Sequence, residues 1–116
     1  MIRHVLPNRR ENSETIRYVR NGGTAEYFIT FWCFANGELG EVFVSSDRPT
    51  SELADTIRDG AVLLSIALQY GTPLAVLRAA ITRNHNECAS SLIGEVLDVL
   101  YARLAEDEPK TGEQNG

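Results

Sequence analysis

The residues best placed to do chemistry form the run Ser45-Ser46-Asp47-Arg48-Pro49-Thr50-Ser51. It offers hydroxyls and one guanidinium directly ahead of a segment with helical periodicity. Free N–H groups at a helix start, and the positive end of its dipole, favour an anion there. Arg9 and Arg10 carry charge that can join the same end. Ser45, Ser46, Arg48, Thr50, Ser51, Arg9 and Arg10 are therefore the candidate site for a phosphate or nucleotide ligand. Helix entries in general share part of this property, and the run contains no Gly-rich phosphate loop.

Two other groups carry chemistry-bearing side chains. His85 and Cys88 form a His-x-x-Cys pair, a spacing that two metal ligands can use. Zinc takes three or four protein ligands, and the other His and Cys residues are only His4 and Cys33. The pair is thus a weak metal candidate, and no metal or cofactor is expected. Nothing in the sequence orients His85 as a base for a Cys88 nucleophile, so no catalytic residue is assigned. Cys33 alternates within an apolar strand and reads as a small buried hydrophobe. Asp55, Arg58 and Asp59 share a helix face at i,i+3/i+4 spacing. They read either as a surface salt bridge or as a polar contact for a ligand at the sheet–helix junction. Ser65 and Gln69, four apart in an apolar stretch, read as donors and acceptors for buried backbone or for a partner subunit.

The elements that must position these residues follow from periodicity. Residues 15–20 alternate, with Ile16 and Tyr18 on one side, and predict a half-buried strand. Asn21-Gly22-Gly23 is a turn signal. Residues 26–34, EYFITFWCF, predict a strand apolar on both faces, Tyr27, Ile29, Phe31 and Cys33 against Phe28, Thr30, Trp32 and Phe34. Asn36-Gly37 makes a second hairpin turn, and residues 39–45 return with Val42 and Val44 on one face. The period then changes to that of a helix. Thr50 or Ser51 caps a long helix through Tyr70, with Glu52 and Asp55 at its positive end. Ala61, Val62, Leu63, Leu64, Ile66, Ala67 and Leu68 leave it no polar face, so it should be buried. Gly71 stops it. Thr72 then caps a second helix over residues 73–83, with Leu74, Leu77 and Ile81 at helical spacing. Residues 84–89 are a loop. Ser90 or Ser91 caps a third helix with the stripe Leu92, Ile93, Val96, Leu97, Leu100 and Leu104.

The order is α+β: a three-stranded antiparallel meander followed by three helices packed on the sheet. Residues 1–12 read as an irregular basic segment, 13–105 as one domain and 106–116 as a disordered acidic tail. One sheet face takes the long helix, and a second subunit is the economical cover for Trp32, Phe34 or Phe28 on the other. A homodimer is therefore expected.

Composition narrows the classes of function. The 116 residues are 43% hydrophobic, enough for one cored domain. No apolar run approaches the roughly 20 residues that span a bilayer, and the N-terminus lacks a secretory h-region, so no membrane is expected. Two cysteines are too few for a disulfide framework, which suits a reduced, cytoplasmic setting. The net charge of −5 argues against general nucleic-acid binding. It is unevenly spread: five arginines face two glutamates in residues 1–20, and four carboxylates face one lysine in residues 105–116. The basic head suits phosphates or an acidic partner, or is simply a solvated face.

A set of short elements runs in order over about residues 9–100. They are Arg9-Arg10 with Ser13-Glu14-Thr15, Gly22-Gly23, Asn36-Gly37 with Glu41-Val42-Phe43, and Ser46 with the polar segment after it. Arg58-Asp59, Ser65-Ile66-Ala67-Leu68-Gln69 with Gly71 and Pro73, and Ile81-Thr82-Arg83-Asn84 continue the series. In these the chain resembles the TSCPD domain. That short α+β module occurs at the C-terminal end of adenosylcobalamin-dependent ribonucleotide reductases and as small stand-alone bacterial proteins. The family's cysteine after the third strand would fall near Asp47-Arg48-Pro49-Thr50, where this chain has none. The resemblance implies a binding or regulatory module linked to ribonucleotide reductase and DNA precursor synthesis, with a reductase subunit or a nucleotide effector as partner. A 116-residue chain has no room for the barrel that holds the reductase's radical cysteine, so ribonucleotide reduction by this chain alone is not expected. Two other readings stay open. One is a small enzyme subunit acting on a phosphorylated metabolite through residues 45–51. The other is a structural dimer without small-molecule chemistry.

Overall fold

The structure is a computed structural model and describes residues 2–7, 11–20, 23–48 and 52–107. Three strands come first, β1 (Glu14–Val19), β2 (Glu26–Cys33) and β3 (Leu39–Ser46). Three helices follow, α1 (Glu52–Gln69), α2 (Leu74–Ala80) and α3 (Leu92–Asp107). The sheet order is β1-β2-β3 with both pairs antiparallel. This is the α+β arrangement that the change of hydrophobic period predicts. In the β2–β3 hairpin, the Phe34 N–H donates to Glu38 O at 2.8 Å, and Asn36 Oδ1 accepts from the Glu38 N–H at 2.9 Å.

Strand alternation splits the sheet into two unlike faces. Tyr27, Ile29 and Phe31 on β2, with Val42 and Val44 on β3, point into the core. They meet Ile57, Ala61, Leu64 and Leu68 of α1 and Leu92, Val96, Leu97 and Leu100 of α3. Ile29, Val96 and Leu100 expose no surface. Truncating such a residue to Ala costs about 2–5 kcal/mol. The opposite face carries Phe28, Thr30 and Trp32, each half-buried within the single chain, and Phe43, which is 55% exposed. Antiparallel sheets tolerate one such open face. Trp32 is partly covered from its own chain: its Nε1–H donates to Glu11 O at 3.0 Å, and it stacks edge-on against Phe34. Phe34 lies over Gly40, where a Cβ would stand 2.6 Å from its ring, so any larger residue there must displace Phe34.

Three local expectations are corrected. First, α1 is not buried all round: Leu63 is 68% exposed and Val62 49%. One sheet face and α3 cover only the stripe from Ala54 to Leu68, and the apolar residues between stripe positions turn outward. Second, α2 ends at Ala80 rather than Arg83, because Arg83 pairs with Ala89 in an antiparallel bridge. The Ser90 N–H donates to Thr82 O and the Asn84 N–H to Cys88 O, so those backbones are spent on a reversal. Third, Pro73 rather than Thr72 is the N-cap residue of α2, extended at φ −64°, ψ 143°, and no side chain caps the helix.

The stop after α1 is a Schellman motif. Gly71 sits at φ +98°, its N–H donates to Leu68 O at 2.9 Å, and the Thr72 N–H reaches Ala67 O at 3.1 Å. Ser91 caps α3, its Oγ accepting from the Gly94 N–H at 3.1 Å. α3 takes in Glu106 and Asp107, the first residues of the acidic stretch.

Candidate functional site

Four of the anion-site candidates, Arg9, Arg10, Thr50 and Ser51, lie outside the described residues. The other three fall at the end of β3. Ser45 is exposed on the open face of the sheet. Ser46 Oγ accepts from the Arg48 N–H at 3.0 Å, closing a tight turn. The Arg48 guanidinium donates to Thr24 Oγ1 at 2.9 Å. Asp47 bridges back to β2, its N–H donating to Glu26 O and its Oδ1 accepting from the Glu26 N–H at 3.2 Å. Glu26 in turn pairs with Arg17 across β1, and this hydrogen bond holds the carboxyl below its ordinary range. The end of the sheet is thus an ordered polar corner in which Arg17 and Arg48 are set against Glu26 and Asp47.

On α1, Arg58 and Asp55 form an exposed ion pair at 2.9 Å, and Asp59 is exposed on the same helix. An exposed pair of this spacing contributes about 0.3–0.5 kcal/mol. Ser65 and Gln69 are buried, at 7% and 1% exposure. Ser65 Oγ accepts from the Val42 N–H at 2.9 Å and lies 3.0 Å from Val42 O and 2.8 Å from Ala61 O. Gln69 Nε2 donates to Gly40 O at 2.9 Å, while its Oε1 accepts from Arg3 Nε at 2.7 Å and its backbone O from the His4 N–H. The two side chains therefore close the outer edge of β3 at Gly40 and Val42. A missing neighbour strand is replaced by a helix face carrying polar groups one turn apart.

The most organised polar cluster was not signalled by the sequence. Arg78 of α2 and Arg83 of the α2–α3 connection converge on Asp98 of α3. Arg83 grips both carboxylate oxygens, at 2.8 and 3.0 Å, and Arg78 Nε binds at 2.8 Å. Beside them Arg20, just past β1, pairs with Glu95 at 2.7 Å, and the Tyr18 hydroxyl donates to the same carboxylate at 2.5 Å. Hydrogen bonds from Arg83 above all hold the Asp98 carboxyl below its ordinary range. Burial, then the hydrogen bond to Glu95, pushes the Tyr18 phenol up to about 12. These groups line a groove of about 720 Å³. Glu87 also lines it, so three arginines meet three carboxylates. The charges balance, and the cluster reads as a clamp joining β1, α2 and α3 rather than as an anion receptor. The sequence hid it because its members come from four separate segments.

His85 and Cys88 sit in the tight turn beside this clamp, both exposed. Asn84 Oδ1 accepts from the N–H groups of Asn86 and Cys88, and Glu87 takes φ 65°. Among the described residues no three His, Cys, Asp or Glu side chains gather to hold a metal. Cys33 is only half-buried, a correction to the reading of it as a buried hydrophobe. It borders a second groove, also about 720 Å³, lined by Leu39, Leu68, Leu74, Tyr101 and Leu104.

Comparison with known proteins gives the molecule a context. Part of the vitamin B12-dependent ribonucleotide reductase of Agrobacterium fabrum is 30% identical over 111 residues, covering 89% of this chain and 8% of that protein. The Bradyrhizobium diazoefficiens enzyme of the same name is 30% identical over 111 residues, with 9% of its length covered. That of Streptantibioticus cattleyicolor is 29% identical over 92 residues, covering 73% of this chain and 15% of the enzyme. The chain is related to a segment of vitamin B12-dependent ribonucleotide reductases. It spans only 8% to 15% of the length of these relatives. No family model and no solved structure matches it. Among the described residues no helix is long and apolar enough to cross a membrane.

Proposed function

We propose that this chain is a TSCPD-type binding and regulatory module of the ribonucleotide reductase system, acting by contact and not by catalysis of its own. The similarity to a small segment of much larger reductases carries the reading, because the match covers nearly all of this chain. The side-chain chemistry agrees with it. The buried polar side chains Ser65 and Gln69 are spent on the fold, and the ion pairs around Asp98 and Glu95 tie elements together. The ligand class assigned to the module is a nucleotide phosphate at the corner of Ser45, Ser46 and Arg48. Its support is the start of α1 a few residues on, where the positive end of the helix dipole favours anions.

Two measurements test this. Immobilised chain should retain a purified vitamin B12-dependent reductase at micromolar concentration, and failure to do so sinks the reductase link. Trp32 fluorescence titrated with ATP, dATP and pyrophosphate should change and saturate. A flat response up to millimolar ligand removes the nucleotide while leaving the reductase link standing.

A further inference from the structure

We infer that the outer edge of β1 pairs with the β1 edge of a second copy of this chain, giving one continuous antiparallel six-stranded sheet across a two-fold axis at Ile16. The direction of each peptide group can be worked out from the opposite edge. Ser65 Oγ binds both the N–H and the O of Val42, so those groups point away from β2. Val42 stands opposite Phe31, whose backbone groups must then point toward β1. Two-residue alternation extends this to Ile29 and Tyr27, as the Glu26 bonds toward Asp47 on the other side agree. Their partners on β1 are Glu14, Ile16 and Tyr18. Those three are consumed by the sheet, which leaves Thr15, Arg17 and Val19 presenting N–H and C=O outward. Among the described residues nothing pairs with these groups, and β1 ends the strand order.

An unprotected edge of this kind is a template for another strand. β1 has no proline and no bulge, two of the usual guards of an edge, and its charges, Glu14 and Arg17, are paired with Arg103 and Glu26. Its sequence also picks out one register against itself. With the axis at Ile16, Thr15 faces Arg17 of the second copy and each pair exchanges two backbone hydrogen bonds. Ile16 meets its own counterpart on the core side, where it already packs against the apolar cluster. Moving the axis to Arg17 sets two guanidinium groups face to face, a like-charge pair that destabilises. Moving it to Thr15 pairs only Glu14 to Ile16 and leaves Arg17, Tyr18 and Val19 beyond the strand, whereas the axis at Ile16 leaves only Val19. A shift by one residue would put core-side groups opposite solvent-side ones.

The Arg17 N–H points outward, so proline at 17 removes no bond of the β1–β2 ladder. Light scattering on the intact chain should give twice the 12.8 kDa chain mass. Arg17→Pro should give a monomer with an unchanged far-ultraviolet spectrum, raising the dimer dissociation constant about a hundredfold. In a background with Cys33→Ala and Cys88→Ser, Ile16→Cys should oxidise to a linked dimer and Arg17→Cys should not. Cα atoms of residue 17 and its mate would stand beyond the ~7 Å that a disulfide allows. Preferential linking through Arg17→Cys overturns the register. A dimer that survives Arg17→Pro but is lost in Phe43→Ser overturns the edge in favour of the open sheet face. A monomeric chain overturns the pairing outright, and if Arg17→Pro then abolishes reductase capture, the edge belongs to a reductase strand. The inference does not rest on the reductase reading, since every arm but that last uses this chain alone.

Discussion

Along β3, the backbone groups of Gly40 and Val42 that face away from β2 are taken by Gln69 and Ser65 of α1. Along β1, those of Thr15, Arg17 and Val19 meet no described residue. β1 is held instead through its side chains, by Glu14 to Arg103 and Tyr18 to Glu95 of α3. One edge is closed at Gly40 and Val42 by polar groups from within the core, and the other is tethered and left able to pair. A buried edge must satisfy its N–H and C=O groups internally, because leaving one unmade costs about 1–3 kcal/mol. An edge in contact with water carries no such requirement and can serve recognition.

The sharpest way to break this contrast is Ser65→Ala. It strips both the acceptor for the Val42 N–H and the donor at that site in a fully enclosed position. Urea unfolding should show a loss of about 2–4 kcal/mol. A loss below about 0.5 kcal/mol, the scale of an ordinary surface change, would mean that Ser65 does not close the β3 edge at Val42. Gln69→Leu comes next. It keeps the volume but orphans the buried Gly40 O and releases the exposed Arg3 guanidinium to water, and should cost about 1–3 kcal/mol. Amide exchange at Val42 should accelerate in the first variant, while exchange at Thr15 should already be fast in monomeric wild type. Slow exchange at Thr15 in a proven monomer would erase the difference between the edges.

Much of this was legible beforehand, for a physical reason. Alternation in EYFITFWCF and the stripe Leu92, Val96, Leu97 and Leu100 report burial directly, and the Gly71 stop needs only a local conformation. Ser65 and Gln69 stood out because polar residues within an apolar helix must find partners, although which edge they served was beyond local reading. The early end of α2 was not legible, since it depends on a bridge between Arg83 and Ala89. Outward exposure of Leu63 was missed because composition cannot tell a helix covered on one side from one covered all round. The clamp at Asp98 was missed because charge pairing between distant segments leaves no spacing signature.

The clamp offers a smaller and pH-dependent test. Asp98 ties α2 to α3 and touches neither edge, so its variant separates loss of the clamp from loss of an edge. Asp98→Asn should lower stability at neutral pH by about 1 kcal/mol. The carboxyl is held below its ordinary value, chiefly by Arg83, so folding favours its ionised form. Its contribution is therefore complete above the ordinary aspartate value of about 3.9 and is lost as pH falls through the lower native one. Wild type and variant should converge in urea midpoint only in strong acid. Convergence already at pH 6 would assign the effect to another group.

Tyr18 gives an effect of the same small order and the one that speaks directly to β1. Its hydroxyl is the tether to α3, and its pKa is raised to about 12 by burial and then by the Glu95 hydrogen bond. The neutral phenol is the form that the fold prefers. Its contribution is thus full below the ordinary tyrosine value of about 10 and is lost as pH rises through the native one. Ultraviolet titration should show a tyrosine ionising near pH 12, and Tyr18→Phe should delete that step. The variant should lose about 0.5–1.5 kcal/mol at neutral pH, the net worth of one hydrogen bond. If β1 is held by side chains and left free along its backbone, this loss should appear without any change in the mass of the assembly. A Tyr18→Phe protein that loses its dimer while keeping its fold would show that the tether also orders the edge for pairing, and the separation drawn between holding β1 and opening it would fail.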